Sequence, residues 1–252
     1  MKIGIFDSGI GGLSVLHEVL KAFPGERYLY YADTAHVPYG DKPKAEVRDY
    51  VFAAVEFLHR QGCDAVLVAC NTATSVAIDD LRRAFPEPIV GMEPAVKPAV
   101  LAARRKRVLV LATEMTLREP KFHHLVTRVD RAGIVDYLAL QDLVVRAERF
   151  QFEPGPTLAY LRGRLGDRDP AAYGTVVLGC THFLYFRPQV RRVFPAGTAV
   201  IDGNGGTVRQ LAQRVAGLPR EQPGCGGFQY FHSGRPAPPE DFERYLALLE
   251  DA

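Results

Sequence analysis

Two cysteines stand in matching settings. Cys70 closes the apolar run Ala65-Val66-Leu67-Val68-Ala69 and is followed by Asn71-Thr72-Ala73-Thr74-Ser75, then by helical spacing through Val76, Ile78 and Leu81. Cys180 closes Thr175-Val176-Val177-Leu178-Gly179 and is followed by Thr181-His182-Phe183, with a helix-like stretch around Pro188, Val190, Val193 and Phe194. Each short apolar run reads as a buried strand, so each thiol is expected at a strand's carboxyl end. Open α/β sheets bind ligands at that edge. A helix start beside each sulfur would present unpaired N–H groups and a positive dipole end, which favour a thiolate or a bound carboxylate and lower a thiol's pKa. A single free cysteine commonly packs as a small hydrophobe. The repetition, each time with a hydroxyl residue close behind, points to a working pair.

Two thiols facing each other across a small molecule suit one kind of reaction. One thiolate takes a proton from a tetrahedral carbon, and the opposite thiol returns one to the other face. The carbon is inverted. Acid and base should be similar groups in so symmetric a reaction, and two cysteines satisfy that. General acid–base help contributes about 10²–10⁴-fold. The remainder must come from preorganised donors around the carbanion-like state. Asn71, Thr72 and Thr181 are candidates for those donors. Asp7 and His182 are each candidate helpers of the nearer thiol.

The elements that must position these groups alternate. Residues 2–6 form a strand ending at Asp7-Ser8-Gly9-Ile10-Gly11-Gly12, with a helix from about Leu13 to Ala22. The glycines are not spaced as G-x-G-x-x-G, and an acid precedes them, so nucleotide binding is rejected. Asp7 or Ser8 is expected to cap the helix or to form a polar lip for a ligand ammonium. Arg27 to Ala32 is a strand into Asp33-Thr34, and the turn-rich loop 35–43 offers Tyr39-Gly40 as a hydroxyl and a backbone N–H for an anion. A helix follows over about Lys44 to Gln61. The pattern restarts near residue 96, with a strand over Val108 to Ala112 ending at Thr113-Glu114-Met115-Thr116 and a helix over Glu119 to Val129. A strand over Asp136 to Leu140 has Glu148 a few residues past it. After the second cysteine unit come a strand over Thr198 to Ile201, a helix over about Thr207 to Ala216, a Pro/Gly-rich linker over Leu218 to Gly227, a strand over Phe228 to Ser233 and a closing helix. This alternation predicts an α/β fold of two similar lobes, with mostly parallel sheets flanked by helices and the site in the cleft between them.

Composition narrows the function. The chain has 252 residues, 47% of them hydrophobic, with 31 basic and 29 acidic side chains and a net charge of +2. So even a balance argues against nucleic acid or an anionic membrane as partner. No charged leader with a long apolar core opens the chain, and no apolar run matches a bilayer, so a reducing cytoplasm is expected. The remaining cysteines, Cys63 and Cys225, are read as bystanders. No cysteine lies in a CxxC pair, and no metal is expected.

The ordered motifs Ile5-Phe6-Asp7-Ser8-Gly9-Ile10-Gly11-Gly12-Leu13, Asp33-Thr34 with Pro38-Tyr39-Gly40, Ala69-Cys70-Asn71-Thr72-Ala73-Thr74, Leu178-Gly179-Cys180-Thr181-His182 and Ile201-Asp202-Gly203 resemble the cofactor-independent glutamate racemases of the aspartate/glutamate racemase superfamily. The resemblance spans nearly the whole chain. It implies interconversion of L- and D-glutamate without a cofactor, in service of peptidoglycan, with Cys70 and Cys180 as the acid/base pair. It implies that Asp7, Ser8, Tyr39, Gly40, Asn71, Thr72, Thr181 and His182 bind substrate, with Glu148, Thr113 and Thr116 as further site candidates. It also implies a split first lobe, 1–95 plus 205–252, around a second lobe, 96–204, and a homodimer. The stretch Leu140-Gln141-Asp142-Leu143-Val144-Val145-Arg146-Ala147-Glu148 departs from the family pattern: the prolines and a spare cysteine common there are missing, while Glu148 is kept. Two alternatives stay open at this point: a racemase of the superfamily acting on aspartate or another small acid, and a non-catalytic binding protein on the same scaffold.

Overall fold

The structure is a computed structural model and describes residues 1–103, 106–219 and 226–250. Arg104, Arg105, Cys225 and most of the Pro/Gly-rich linker lie outside the described residues. The chain opens with β1 (Lys2–Asp7), α1 (Leu13–Ala22), β2 (Arg27–Ala32), α2 (Lys44–Arg60), β3 (Ala65–Val68), α3 (Asn71–Ala84) and β4 (Ile89–Gly91). It continues through α4 (Val96–Ala102), β5 (Arg107–Ala112), α5 (Glu114–Arg118), α6 (Pro120–Val129), β6 (Val135–Ala139), α7 (Asp142–Glu148), α8 (Pro154–Leu165), β7 (Tyr173–Leu178), α9 (Arg187–Val193) and β8 (Ala199–Asp202). It closes with α10 (Asn204–Arg214), β9 (Gly227–His232), β10 (Arg235–Ala237) and α11 (Glu240–Glu250).

Two sheets result, ordered β10-β9-β2-β1-β3-β4 and β6-β5-β7-β8. Every pairing is parallel except the β9–β10 hairpin. The expected α/β architecture is borne out. Strand alternation sorts the core. Ile3, Ile5 and Leu67 point to one face of the first sheet, and Phe6, Val66 and Val68 point to the other, against α2 and α3. The first face shares one continuous apolar cluster with Leu109, Leu111, Val176 and Leu178 of the second sheet. The two sheets are thus fused through a common core at the floor of the cleft, and parallel strands buried on both faces explain their near-continuous apolar runs.

Register aligns the chemistry. Phe6 pairs with Val68, so the Asp7-Ser8 step lies beside Cys70. Leu111 pairs with Leu178, so Thr113 and Cys180 leave neighbouring strand ends. Three expectations need correcting. Gly12, not Asp7 or Ser8, is the α1 N-cap, and no side chain bonds there. The polar stretch after β5 holds a short helix of its own, α5, and Pro120, which suits a first turn, separates it from the helix expected over Glu119 to Val129, which is α6. Cys180 is followed by a 3-10 helix, Thr181–Phe186, rather than directly by an α-helix. Among the described residues no helix is long and apolar enough to cross a membrane.

Candidate active site

Each thiol has its own surroundings. Cys70 is the N-cap of α3 in extended backbone geometry, and the Ala73 N–H donates to its Sγ at 3.4 Å. Ser8 Oγ lies 3.6 Å from the same sulfur. The helix start was expected to lower this thiol's pKa. Burial instead pushes it up to about 12, the Asp7 and Cys180 charges push the same way, and the Ala73 N–H and Ser8 only partly oppose them. Desolvation outweighs one capping bond because Cys70 is 5% exposed in the closed cleft. Cys70 therefore rests as a protonated thiol.

Cys180 belongs to a chain of groups. Its Sγ lies 3.8 Å from His182 Nδ1, and His182 Nε2 lies 2.6 Å from Glu148 Oε1. The Ile10 N–H donates to that same carboxylate oxygen at 2.8 Å. Burial alone would lower the His182 pKa, but the sulfur and the Glu148 carboxylate together hold it well above the ordinary histidine value. The carboxylate thus favours a protonated imidazole, which sets a positive charge beside the Cys180 sulfur.

Asp7 joins the two halves. Its Oδ1 accepts from the Gly9 N–H at 3.1 Å, and its Oδ2 accepts from Thr181 Oγ1 at 3.1 Å. Burial raises its pKa to about 6, with His182, the Gly9 N–H and Thr181 acting against the rise. Among the described residues, Ser8 rather than Asp7 is the group that approaches the Cys70 sulfur. The loop glycines now have a reason. A Cβ on Gly9 would stand 1.8 Å from Glu148 Oε1, and one on Gly11 would stand 2.5 Å from His182 Nδ1. Glu148 and His182 seat directly on the backbone of this loop, and only hydrogen fits between.

Thr72, Thr113 and Thr116 hydroxyls form a buried triangle, with separations of 2.9, 3.2 and 2.9 Å. It ties the start of α3 to the start of α5 across the cleft. The Asn71 side-chain amide donates to the Met92 carbonyl at 3.4 Å. Tyr39 is buried, and its hydroxyl donates to Asp33 Oδ2 at 2.6 Å rather than standing free for an anion. Burial and then the Asp33 charge raise that phenol's pKa. Asp33 also binds His36 Nδ1 at 2.8 Å and accepts from Ser233 Oγ at 2.8 Å, so the β9–β10 turn braces the loop. Cys63 is a buried thiol under Gly4, away from the cleft, with its pKa raised to about 12 by burial.

Sequence reasoning passed over Tyr30 and Tyr185. Their hydroxyls donate to the Gly9 and Ile10 carbonyls at 2.8 and 3.3 Å and hold the loop that carries the Asp7 and Glu148 contacts. For Tyr30 the signal available is a tyrosine inside a buried strand, whose hydroxyl needs a partner; Tyr185 lies in the 3-10 helix after Cys180 and offers no such signal. An open cavity of about 600 Å³ away from these groups is bounded by His17, Lys21, Arg187 and Asp202.

A sequence profile of the family described as Asp/Glu/Hydantoin racemase matches residues 8–211. The chain belongs to this racemase family. Within it, the chain is 52% identical over 253 residues to the glutamate racemase of Halothermothrix orenii, covering 100% of both. It is 47% identical over 253 residues to glutamate racemase 2 of Bacillus subtilis, covering 99% of this chain and 96% of that one. Among solved structures, Escherichia coli glutamate racemase in complex with L-glutamate and the activator UDP-MurNAc-ala aligns with a TM-score of 0.83 at 29% identity, over 98% of this chain and 94% of that one.

Proposed function

We propose that this chain is a cofactor-independent racemase that interconverts L- and D-glutamate with Cys70 and Cys180 as its two bases. The observation that carries the reading is the pair of buried strand-end thiols in one closed cleft, each with a separate proton partner. Full-length identity to glutamate racemases supports the choice of substrate.

In the resting state Cys70 is the acid. Cys180, beside the Glu148-held imidazolium, is the base for the enantiomer whose α-hydrogen faces it. Its sulfur takes that proton, the electron pair moves into the α-carboxylate, and Cys70 gives its own proton to the opposite face. The two sulfurs have then exchanged protonation states, and the reverse direction starts from there. Backbone N–H groups at the α3 start and the hydroxyls of Ser8, Thr72 and Thr181 supply the donors for the carboxylate that gains charge. Asp7 and Ser8 face the ammonium, while Gly40, Asn71, Thr113 and Thr116 complete the pocket.

The proposal extends to organisation: a first lobe of 1–95 plus 205–252, a second of 96–204, a homodimer, a cytoplasmic setting and supply of D-glutamate to peptidoglycan. The test is incubation with L-glutamate in D₂O, with L-aspartate in parallel, followed by chiral separation. α-Deuterated D-glutamate with aspartate untouched is the expected result. No α-exchange in glutamate overturns the reading.

A further inference from the structure

The closing helix α11 buries Phe242 and Tyr245. The Tyr245 ring packs edge-on against Phe150, Phe152 and Tyr185, with centroids 5.1, 6.3 and 6.0 Å away. Its hydroxyl accepts from Arg244 Nη2 at 3.5 Å and donates to the main-chain carbonyl of Glu148 at 3.2 Å. Glu148 is the last residue of α7, and the last carbonyls of a helix have no partner within it. The backbone that follows serves three of them: Arg149 N–H donates to Val145, Gln151 N–H to Arg146 and Phe150 N–H to Ala147. The Tyr245 hydroxyl takes the fourth, that of Glu148.

The turn after Glu148 is held from the same helix. Phe150 has φ 57, in the left-handed region that side-chain-bearing residues avoid and glycine favours. Its ring meets Phe152 and Tyr245 edge-on, and the Arg244 guanidinium lies 5.0 Å over Phe150 and 4.9 Å over Tyr245. Tyr185, packed on Tyr245, donates to the Ile10 carbonyl at 3.3 Å, and the Ile10 N–H is the donor to the Glu148 carboxylate. Tyr245 thus braces both the main chain that carries Glu148 and the loop that receives its side chain. We propose that Tyr245 is a positioning residue for the racemase reaction: its hydroxyl fixes the Glu148 main chain so that the carboxylate stays on His182, beside Cys180. This deepens the proposed function and rests on it. Tyr245 acts through Glu148 and touches neither sulfur nor substrate in this role.

The test is Tyr245→Phe, which keeps every ring contact and removes one hydroxyl. The titratable groups facing His182, namely Cys180, Glu148 and Asp7, are unchanged by it. Loss of a neutral hydrogen bond predicts kcat about three- to ten-fold lower on both glutamate enantiomers, with KM within about two-fold. The same loss predicts that the His182 pKa, read by NMR, and the alkaline limb of the kcat/KM profile both fall by about half to one unit. A residue that only held the fold would move neither. In a Glu148→Gln background the added Tyr245→Phe change should cost less than about two-fold, because the two act through one contact. Arg244→Gln, at an exposed side chain, should shift the limb the same way by less, and it stands in should Tyr245→Phe fail to fold. An unmoved limb and His182 pKa in Tyr245→Phe, or in Arg244→Gln where that variant stands in, overturns the assignment while the racemase reading stands. Full additivity with Glu148→Gln overturns it as well. A wild-type chain without α-exchange in glutamate overturns the racemase reading and with it this role in turnover.

Discussion

Replacing Glu148 by Gln probes the Cys180 side of the site without changing its shape. The amide oxygen still accepts from the Ile10 N–H and from His182 Nε2, so the 2.8 and 2.6 Å contacts keep their geometry. What disappears is the negative charge. Glu148 is 16% exposed and His182 is 2% exposed at their side chains, so solvent replaces little of it. A hydrogen bond to a charged partner is worth about 1.5–3 kcal/mol. At 1.36 kcal/mol per unit, the His182 pKa should fall by about one to two units. If the imidazolium beside Cys180 is what makes that thiol an effective proton carrier, activity is lost at correspondingly lower pH. We expect the alkaline limb of the kcat/KM profile to move down by about one to two units, and kcat/KM to drop about 10–100-fold above the new limb. The two enantiomers are equal in energy in water, so kcat/KM must fall by the same factor in both directions. Initial rates by circular dichroism, starting from each enantiomer across pH 6–9, measure all of this. The stability effect has a definite sign as well. A histidine held above its unfolded value of about 6.5 stabilises the fold below that pH and loses the contribution as pH rises through the folded value. The variant's deficit in unfolding free energy should therefore be largest near pH 6 and shrink toward pH 9. Wild-type kcat/KM with an unmoved limb would refute the relay from Glu148 through His182 to Cys180.

Cys70→Ser and Cys180→Ser should each abolish racemisation by at least about 10²–10⁴-fold with the fold intact, checked by chiral product analysis beside thermal unfolding. Gly9→Ala should displace Glu148, since a Cβ there stands 1.8 Å from its Oε1, and so cost kcat about as much as Glu148→Gln does. Crystallography of the variant would show whether the carboxylate has left His182. Asp7, with its pKa raised from 3.8 to about 6, makes the wild type lose stability as pH rises from about 4 through about 6. Urea midpoints should show roughly 1–2 kcal/mol lost between pH 5 and 8 from this group, a loss absent in Asp7→Asn.

Much of the scaffold was legible because it rests on local physics. Apolar runs of strand length, amphipathic spacing and small polar residues at strand ends place Asp7, Cys70, Thr113 and Cys180 at carboxyl edges. The α3 start was placed by the same means, and Cys70 does cap it. Reading the second unit as a copy of the first was less accurate. The chain after Cys180 winds as a 3-10 helix, and aromatic packing of Phe183 and Phe186 in the core accompanies that turn.

What tertiary structure alone decided is which groups share a proton and how much water they see. Glu148 meets His182 from 34 positions away, and Thr181 meets Asp7 from 174 away. No local period encodes either distance. The glycines at 9 and 11 read as turn residues in sequence, yet the side chains seated on them are Glu148 and His182 from the other lobe. The Tyr39 hydroxyl, free by sequence, is held by Asp33, which Ser233 in the β9–β10 turn keeps in place. The sign of the Cys70 shift was also a tertiary matter. Sequence announces the helix start that lowers a thiol's pKa, but desolvation depends on both lobes closing over the sulfur, and in this cleft desolvation is the larger effect.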